Sequence, residues 1–219
     1  MPKRGSYRRD GRDLRRRGAV RDPLPLVLVV CEGAVTEPQY IEGFRVAEGA
    51  NTVRVHIKAP GGDPKAAVEL AIKLAEEAAE RARRERDDNL RYDEVWCVFD
   101  VDEHKRLDEA RRTAETNGVR LAVSNPCFEL WLLLHFFDQT AALSRKRASE
   151  LLKKHLPVYA KHVRFPEVSA GYHDAVIRAE ALDLRHAQTG AQGGNPSSGV
   201  YCLTERIRAF GKAQRFRER

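Results

Sequence analysis

The sequence predicts an α/β domain, with a mostly parallel sheet of about four strands flanked by helices and a helical C-terminal third. Three observations carry this expectation. Leu26-Val27-Leu28-Val29-Val30-Cys31 and Glu94-Val95-Trp96-Cys97-Val98-Phe99 are short apolar runs of the kind buried on both faces of a parallel sheet. Strand-like and helix-like patterns alternate from residue 26 to residue 137, as they do where helical crossovers join parallel strands. From about residue 144 onward the patterns are helical and joined by loops.

Strand one spans about 26–31, and Glu32-Gly33-Ala34-Val35 forms its exit turn, where Gly33 can adopt the backbone angles a sharp exit needs. Thr36-Glu37-Pro38-Gln39 reads as a helix start. Thr36 is the expected N-cap, Gln39 completes a capping box, Pro38 is tolerated in the first turn and Glu37 suits the helix dipole. Tyr40, Ile41 and Phe44 supply the apolar face of this helix. Residues 52–58 alternate through Val53, Val55 and Ile57, as in a strand with one wetter face. After the Pro60-Gly61-Gly62 loop, Asp63-Pro64 caps and opens a long helix reaching about Arg86. Its stripe is Ala67, Leu70, Ala71, Leu74, Ala78 and Ala82. Strand three covers 94–99, a helix follows over about 104–117 and stops at Asn117-Gly118, and strand four covers 119–123. Asn125 can cap and Pro126 can open a helix through Phe137 that is apolar nearly all round, hence buried. Residues 144–156, 171–188 and 200–210 read as helices, and the Gly-rich loop 190–199 is expected to be flexible and able to close over the acidic edge.

The charge of +7 on 219 residues is unevenly spread. Residues 1–22 carry nine Lys or Arg against three Asp, +6, and residues 206–219 carry six against Glu218, +5, which leaves −4 for the body. Basic ends on a mildly acidic domain suit contact with nucleic acid, with Arg8, Arg9, Arg12, Arg15, Arg16 and Arg17 as the candidate phosphate contacts. A solubilising arm at the N-terminus and a solvated helix face at the C-terminus are the plainer readings. The expected organisation is a flexible basic arm over 1–22, a domain over 23–205 and a basic tail over 206–219. No apolar run reaches the roughly 18 residues of a membrane-spanning helix. The basic N-terminus has no apolar stretch behind it, so a cytoplasmic protein without membrane partners is expected. Cys31, Cys97, Cys127 and Cys202 have no paired spacing and read as thiols, three of them within apolar runs.

Ligands of open α/β sheets collect at the carboxyl ends of the strands. Glu32, Asp100 and Asp102 should therefore meet at one sheet edge, where three carboxylates repel unless a proton or a cation intervenes. That donor set suits Mg²⁺ or Mn²⁺. A short Asp-x-Asp is also common in surface turns, and an acid after a strand is often only a loop start. Glu129, inside Phe128-Glu129-Leu130-Trp131-Leu132-Leu133-Leu134, must pair, bind metal or be protonated, because an isolated buried charge is costly. A salt bridge to an Arg, a bond to a helix N-terminus, and a metal contact, direct or through a neighbouring group, are all open for it. His104 reads as a solvated loop residue that could also act near a metal, and His135 as a satisfied core residue.

Val30-Cys31-Glu32-Gly33-Ala34-Val35-Thr36-Glu37-Pro38-Gln39-Tyr40, Phe99-Asp100-Val101-Asp102, the block from Ser124-Asn125-Pro126-Cys127-Phe128-Glu129 to Phe136, and Asn195-Pro196-Ser197-Ser198 together resemble the RloB-like family. The resemblance spans 26 to about 205. It implies a Toprim-like (topoisomerase–primase) fold, in which a glutamate after the first strand and an Asp-x-Asp after a later one jointly hold Mg²⁺. Glu32, Asp100 and Asp102 occupy those positions, and Glu129 would be an addition particular to the family. Members belong to restriction and anti-phage defence loci linked to abortive infection, often beside an AAA- or ABC-type ATPase, and Toprim relatives in such systems act as nucleases.

The expectation that follows is a nuclease dependent on Mg²⁺ or Mn²⁺, cutting DNA or RNA in anti-phage defence, with Glu32, Asp100, Asp102 and Glu129 as catalytic residues. An ATPase encoded nearby is an expected partner, and the resemblance leaves room for a homodimer. Phe99-Asp100-Val101-Asp102 also resembles the nucleophile motif of haloacid-dehalogenase-type phosphatases, but His104 stands where those enzymes need Thr or Val. The rival from another class is a non-catalytic Toprim-like module that binds nucleic acid or an ATPase partner.

Overall fold

The computed structural model describes residues 25–57, 63–101 and 107–217. Its sheet has five strands in the order β2-β1-β3-β4-β5. β1 (Val27–Cys31), β2 (Val53–Ile57), β3 (Glu94–Asp100) and β4 (Arg120–Asn125) run parallel, while the two-residue β5 (Ser197–Ser198) lies antiparallel to β4. Four parallel strands are thus as expected, and the fifth was hidden in the loop over 190–199. The end of that loop is tied to β4 and to Leu143. Asn195 bonds both the Leu143 N–H (3.1 Å) and its carbonyl (2.8 Å), and the Ser124 and Ser198 hydroxyls meet at 3.1 Å.

Side chains alternate strictly across the sheet, because successive strand residues point to opposite faces. Val27, Val29, Cys31, Trp96, Val98 and Ala122 join one core, and Leu28, Val30, Cys97 and Phe99 join the other. The second core is roofed by α2 (Pro64–Glu85) and α3 (Leu107–Thr116) through Ala67, Val68, Ala71, Ala110 and Ala114, small residues that let helix and sheet approach closely. The first core is larger. It takes in α1 (Thr36–Ala47), α4 (Phe128–Leu134), α5 (Arg145–His155), α6 (Tyr172–Gln188) and α7 (Val200–Arg217). All seven residues of α4 are buried, so the apolar block of the sequence is the central helix of this layer.

Local signals succeed where the chain acts locally. Asp63 caps α2 by accepting from the Lys65 N–H, Pro64 follows at the first helical position, and Ser144 caps α5 through the Arg147 N–H. Two expected caps fail. Thr36 is the first residue of α1 rather than its N-cap, which is Val35 without a side-chain bond. α4 starts at Phe128, after Cys127, and the Asn125 amide donates instead to the Gly193 carbonyl at 2.9 Å. In both cases a long-range partner has claimed the capping side chain.

α7 continues to Arg217, so residues 206–217 are helical. Arg206 pairs with Glu94, Arg208 with Glu48 and Glu205, and Arg215 with Glu48. The arginines proposed for the N-terminal arm, Arg8, Arg9, Arg12, Arg15, Arg16 and Arg17, lie outside the described residues, as do Asp102 and His104. No helix among the described residues is long and apolar enough to cross a membrane.

Candidate functional site

The chain goes from β1 to β2 on one side and then returns to form β3 on the other side of β1. α1 and α2 consequently cover opposite faces, and a crevice opens at the carboxyl ends of β1 and β3. The register places Cys31 beside Val98, and the Glu32 N–H donates to the Val98 carbonyl at 2.9 Å. Glu32 therefore leaves β1 beside the end of β3, where Asp100 stands. The structure brings Glu32 and Glu129 within electrostatic reach of Asp100, Glu129 arriving on the first turn of α4.

A fourth acid joins them. Glu37, on the first turn of α1, is buried with its carboxylate folded over Gly33, where a Cβ would collide with it. Glycine at 33 is what leaves room for this carboxylate. The sequence offered Glu37 only as a dipole partner, because nothing local marks a first-turn acid that turns inward.

Burial dominates the electrostatics. It pushes the Asp100 carboxyl well above the usual carboxylate range; Glu37, Glu129 and Glu32 push it further, and Arg145 opposes them. Burial likewise raises Glu37, helped by Glu129 and Glu32 and opposed by its own backbone N–H and Lys161. Glu129 behaves differently. Burial disfavours its charge, but Lys161, Cys127 and its own backbone N–H outweigh burial and hold the carboxyl below its ordinary value. Beside it, burial pushes the Cys127 thiol up.

Two cations from the helical third meet these acids. Arg145, the first residue of α5, donates to Asp100 Oδ2 at 3.1 Å and to the Pro126 carbonyl at 3.2 Å. Lys161 is ion-paired with Glu129 Oε1, which also accepts from the Tyr159 hydroxyl at 2.9 Å. Of the readings open for Glu129, the structure shows a salt bridge, with Lys161 rather than an Arg as the partner. The segment carrying Tyr159 and Lys161 is tied to α1: Thr36 Oγ1 donates to the Lys161 carbonyl at 2.7 Å, and Gln39 bonds His162 Nδ1 at 2.9 Å and the Val163 N–H at 3.2 Å. Arg145, Tyr159 and Lys161 carried no signal in the sequence, since they come from segments whose only pattern is helical or irregular.

Asp100 Oδ1 is buried and has no hydrogen-bond partner among the described residues. An orphaned carboxylate oxygen amid an all-oxygen acidic set is chemistry that fits a hard divalent cation. Among the described residues, no group of three or more His, Cys, Asp or Glu side chains is arranged to hold a metal ion; Arg145 and Lys161 instead meet two of the acids.

His135 sits apart from this site in the aromatic core. Its Nδ1 faces the Val168 carbonyl at 2.9 Å, which can only accept, so Nδ1 carries the proton and Nε2 accepts from the Tyr40 hydroxyl at 3.1 Å. Burial lowers it to about 4, and it is a satisfied core residue, as its place in the apolar block suggested.

Comparison with curated proteins and with solved structures returns no match. A family model does match, over residues 27–207, nearly all of the described fold together with the Glu32, Asp100 and Glu129 positions. The chain belongs to the RloB-like protein family.

Proposed function

We propose that this protein is a nuclease dependent on Mg²⁺ or Mn²⁺ that cleaves phosphodiester bonds in DNA or RNA, and that it serves bacterial anti-phage defence. The observation that carries the reading is the buried, unpartnered Asp100 Oδ1 among Glu32, Glu37 and Glu129 at the crevice between β1 and β3. The Toprim resemblance of the Glu32 and Asp100-Val101-Asp102 segments points the same way.

Glu32, Asp100 and Asp102 would hold the cation. When bound, the ion would polarise a phosphate and stabilise the leaving oxygen. Glu32 would take the proton of the attacking water or hydroxyl, a role open to a carboxylate that leaves a strand beside a second strand-end acid. Glu37, buried against Gly33, adds a carboxyl to the acids around Asp100, and a bound cation would favour its charged form. The basic ends would hold the nucleic-acid backbone through phosphate contacts that carry no sequence information. An AAA- or ABC-type ATPase is the proposed partner, and a homodimer the proposed assembly.

A second reading is favoured by one observation. Arg145 and Lys161 already pair with Asp100 and Glu129, as in a module that binds nucleic acid or the ATPase without cutting. One experiment separates the two. Purified protein is incubated with labelled DNA and RNA in Mg²⁺, Mn²⁺ or EDTA, beside Asp100→Asn and Glu32→Gln. Cleavage that needs the metal and both acids supports the nuclease; binding without cleavage in every arm supports the module.

A further inference from the structure

We propose that Lys161 is the residue that contacts the substrate phosphate at this site, held ready by Glu129 and by the first turn of α1; this rests on the reading of the protein as a nucleic-acid-cleaving enzyme. Four features of Lys161 converge on this role.

Its side chain is 67 % exposed although it is ion-paired, whereas the Glu129 side chain is 4 % exposed. The pair therefore joins a deeply buried anchor to a cation at the rim, with ammonium surface left to meet an incoming anion. An ammonium offers three donors, and Glu129 takes one of them at Oε1.

The Lys161 backbone has φ +68°, a region that bulky L-residues rarely adopt and where glycine or asparagine is more comfortable. Such strain persists only where the surroundings over-determine it, and it clusters at functional sites. Here the surroundings are explicit. Thr36 holds the Lys161 carbonyl, Gln39 holds His162 and Val163, and Tyr159 shares the Glu129 carboxylate with Lys161. The first turn of α1 thus holds Lys161 beside Glu129 and within electrostatic reach of Asp100.

Charge supplies the third feature. Charged carboxylates repel a phosphodiester, so an acidic site that works on one needs cations on its substrate side. Finally, a second cation is delivered from a different element. Arg145, 43 % exposed, meets Asp100 from the start of α5, so that two cations flank the acids. Glu129, Thr36 and Gln39 are positioning residues in this scheme, and of these four residues Lys161 is the one that touches substrate.

The test measures binding of the full chain to short fluorescein-labelled oligothymidylate and oligouridylate by anisotropy, in EDTA, over a series of KCl concentrations. Lys161→Met should weaken binding about tenfold, the worth of one charged hydrogen bond. It should also reduce the slope of log affinity against log salt by about 0.7, the share of one phosphate on a single strand. Lys161→Arg should keep the wild-type slope, which a merely structural salt bridge would not require. Because Lys161→Met leaves Glu129 buried without its partner, the double variant Glu129→Gln/Lys161→Met is measured beside it and should show the same fall in slope. Wild-type slope and affinity in both methionine variants overturn the assignment of Lys161 alone. A wild-type protein that binds neither oligonucleotide overturns the nuclease reading and this assignment together.

Discussion

Thr36 and Lys161 lie 125 residues apart in the chain and are joined by a 2.7 Å hydrogen bond from the Thr36 hydroxyl to the Lys161 carbonyl. Thr36 is buried, so the bond is shielded from water and its loss would leave a carbonyl without that partner. Thr36→Val, of nearly the same shape, should cost about 1–2 kcal/mol of stability. Tm should fall by roughly 2–8 °C, while Thr36→Ser stays close to wild type. Thermal and urea melts of the three proteins check this. Coincident midpoints for valine and wild type would show that the bond contributes nothing.

Mg²⁺ or Mn²⁺ should raise the Tm of the wild type, since a ligand of the folded state alone stabilises it by mass action. The rise should vanish in Asp100→Asn and in Asp102→Asn. In EDTA, Asp100→Asn should be more stable than wild type at neutral pH. Burial and three neighbouring acids disfavour the charged Asp100 carboxylate, and Asn removes that charge. Calorimetry with and without metal reads both effects. An undiminished metal response in both variants would move the metal elsewhere.

His135 should make stability fall in mild acid. The folded chain keeps it neutral down to about 4, whereas an ordinary imidazole takes a proton near 6.5. Between these values the unfolded chain binds more protons, so the full stability present above about pH 6.5 declines as pH drops toward 4. The single-site loss across that window is about 3 kcal/mol. NMR titration of the imidazole gives the folded value directly. A midpoint near 6.5 would contradict the buried neutral tautomer bonded to Tyr40 and Val168.

Deletion of residues 1–22 should weaken nucleic-acid binding and flatten its salt dependence, by roughly 0.7–0.9 in slope for each phosphate that the arm had neutralised. Thermal stability should hold, because the deleted stretch precedes the family match, which begins at residue 27. Affinity at two salt concentrations decides it. Equal slopes before and after deletion would remove the arm from the interface.

β1, β3 and α2 were legible because their causes are local: unbroken apolar runs such as Val27-Leu28-Val29-Val30, and an Asp63-Pro64 start whose side chain bonds two residues on. The capping signature of Thr36 and Gln39 was equally plain and yet misleading. The same hydroxyl and amide that could satisfy a helix end instead satisfy a distant segment, and a sequence does not say which partner wins. For Glu129 the sequence showed that a buried charge needed a partner but not which one, since Tyr159 and Lys161 come from an irregular stretch without periodicity. Asp100 and Glu32 were placed correctly at one edge because strand ends in a parallel sheet share a direction. Glu37 was not, because its inward turn depends on the space left above Gly33.

The division of charge along the chain has a consequence for biosynthesis. The four acids of the described site lie at or before residue 129, and both cations that meet them lie at or after residue 145. A chain emerging N-terminus first completes its acidic half before either counter-charge has been made. Until α5 and the Tyr159–Lys161 turn have been made and docked, the described acids of the nascent sheet edge lack the two cations that meet them. The charge balance of that edge is thereby completed late, after every acid of the described site has been made.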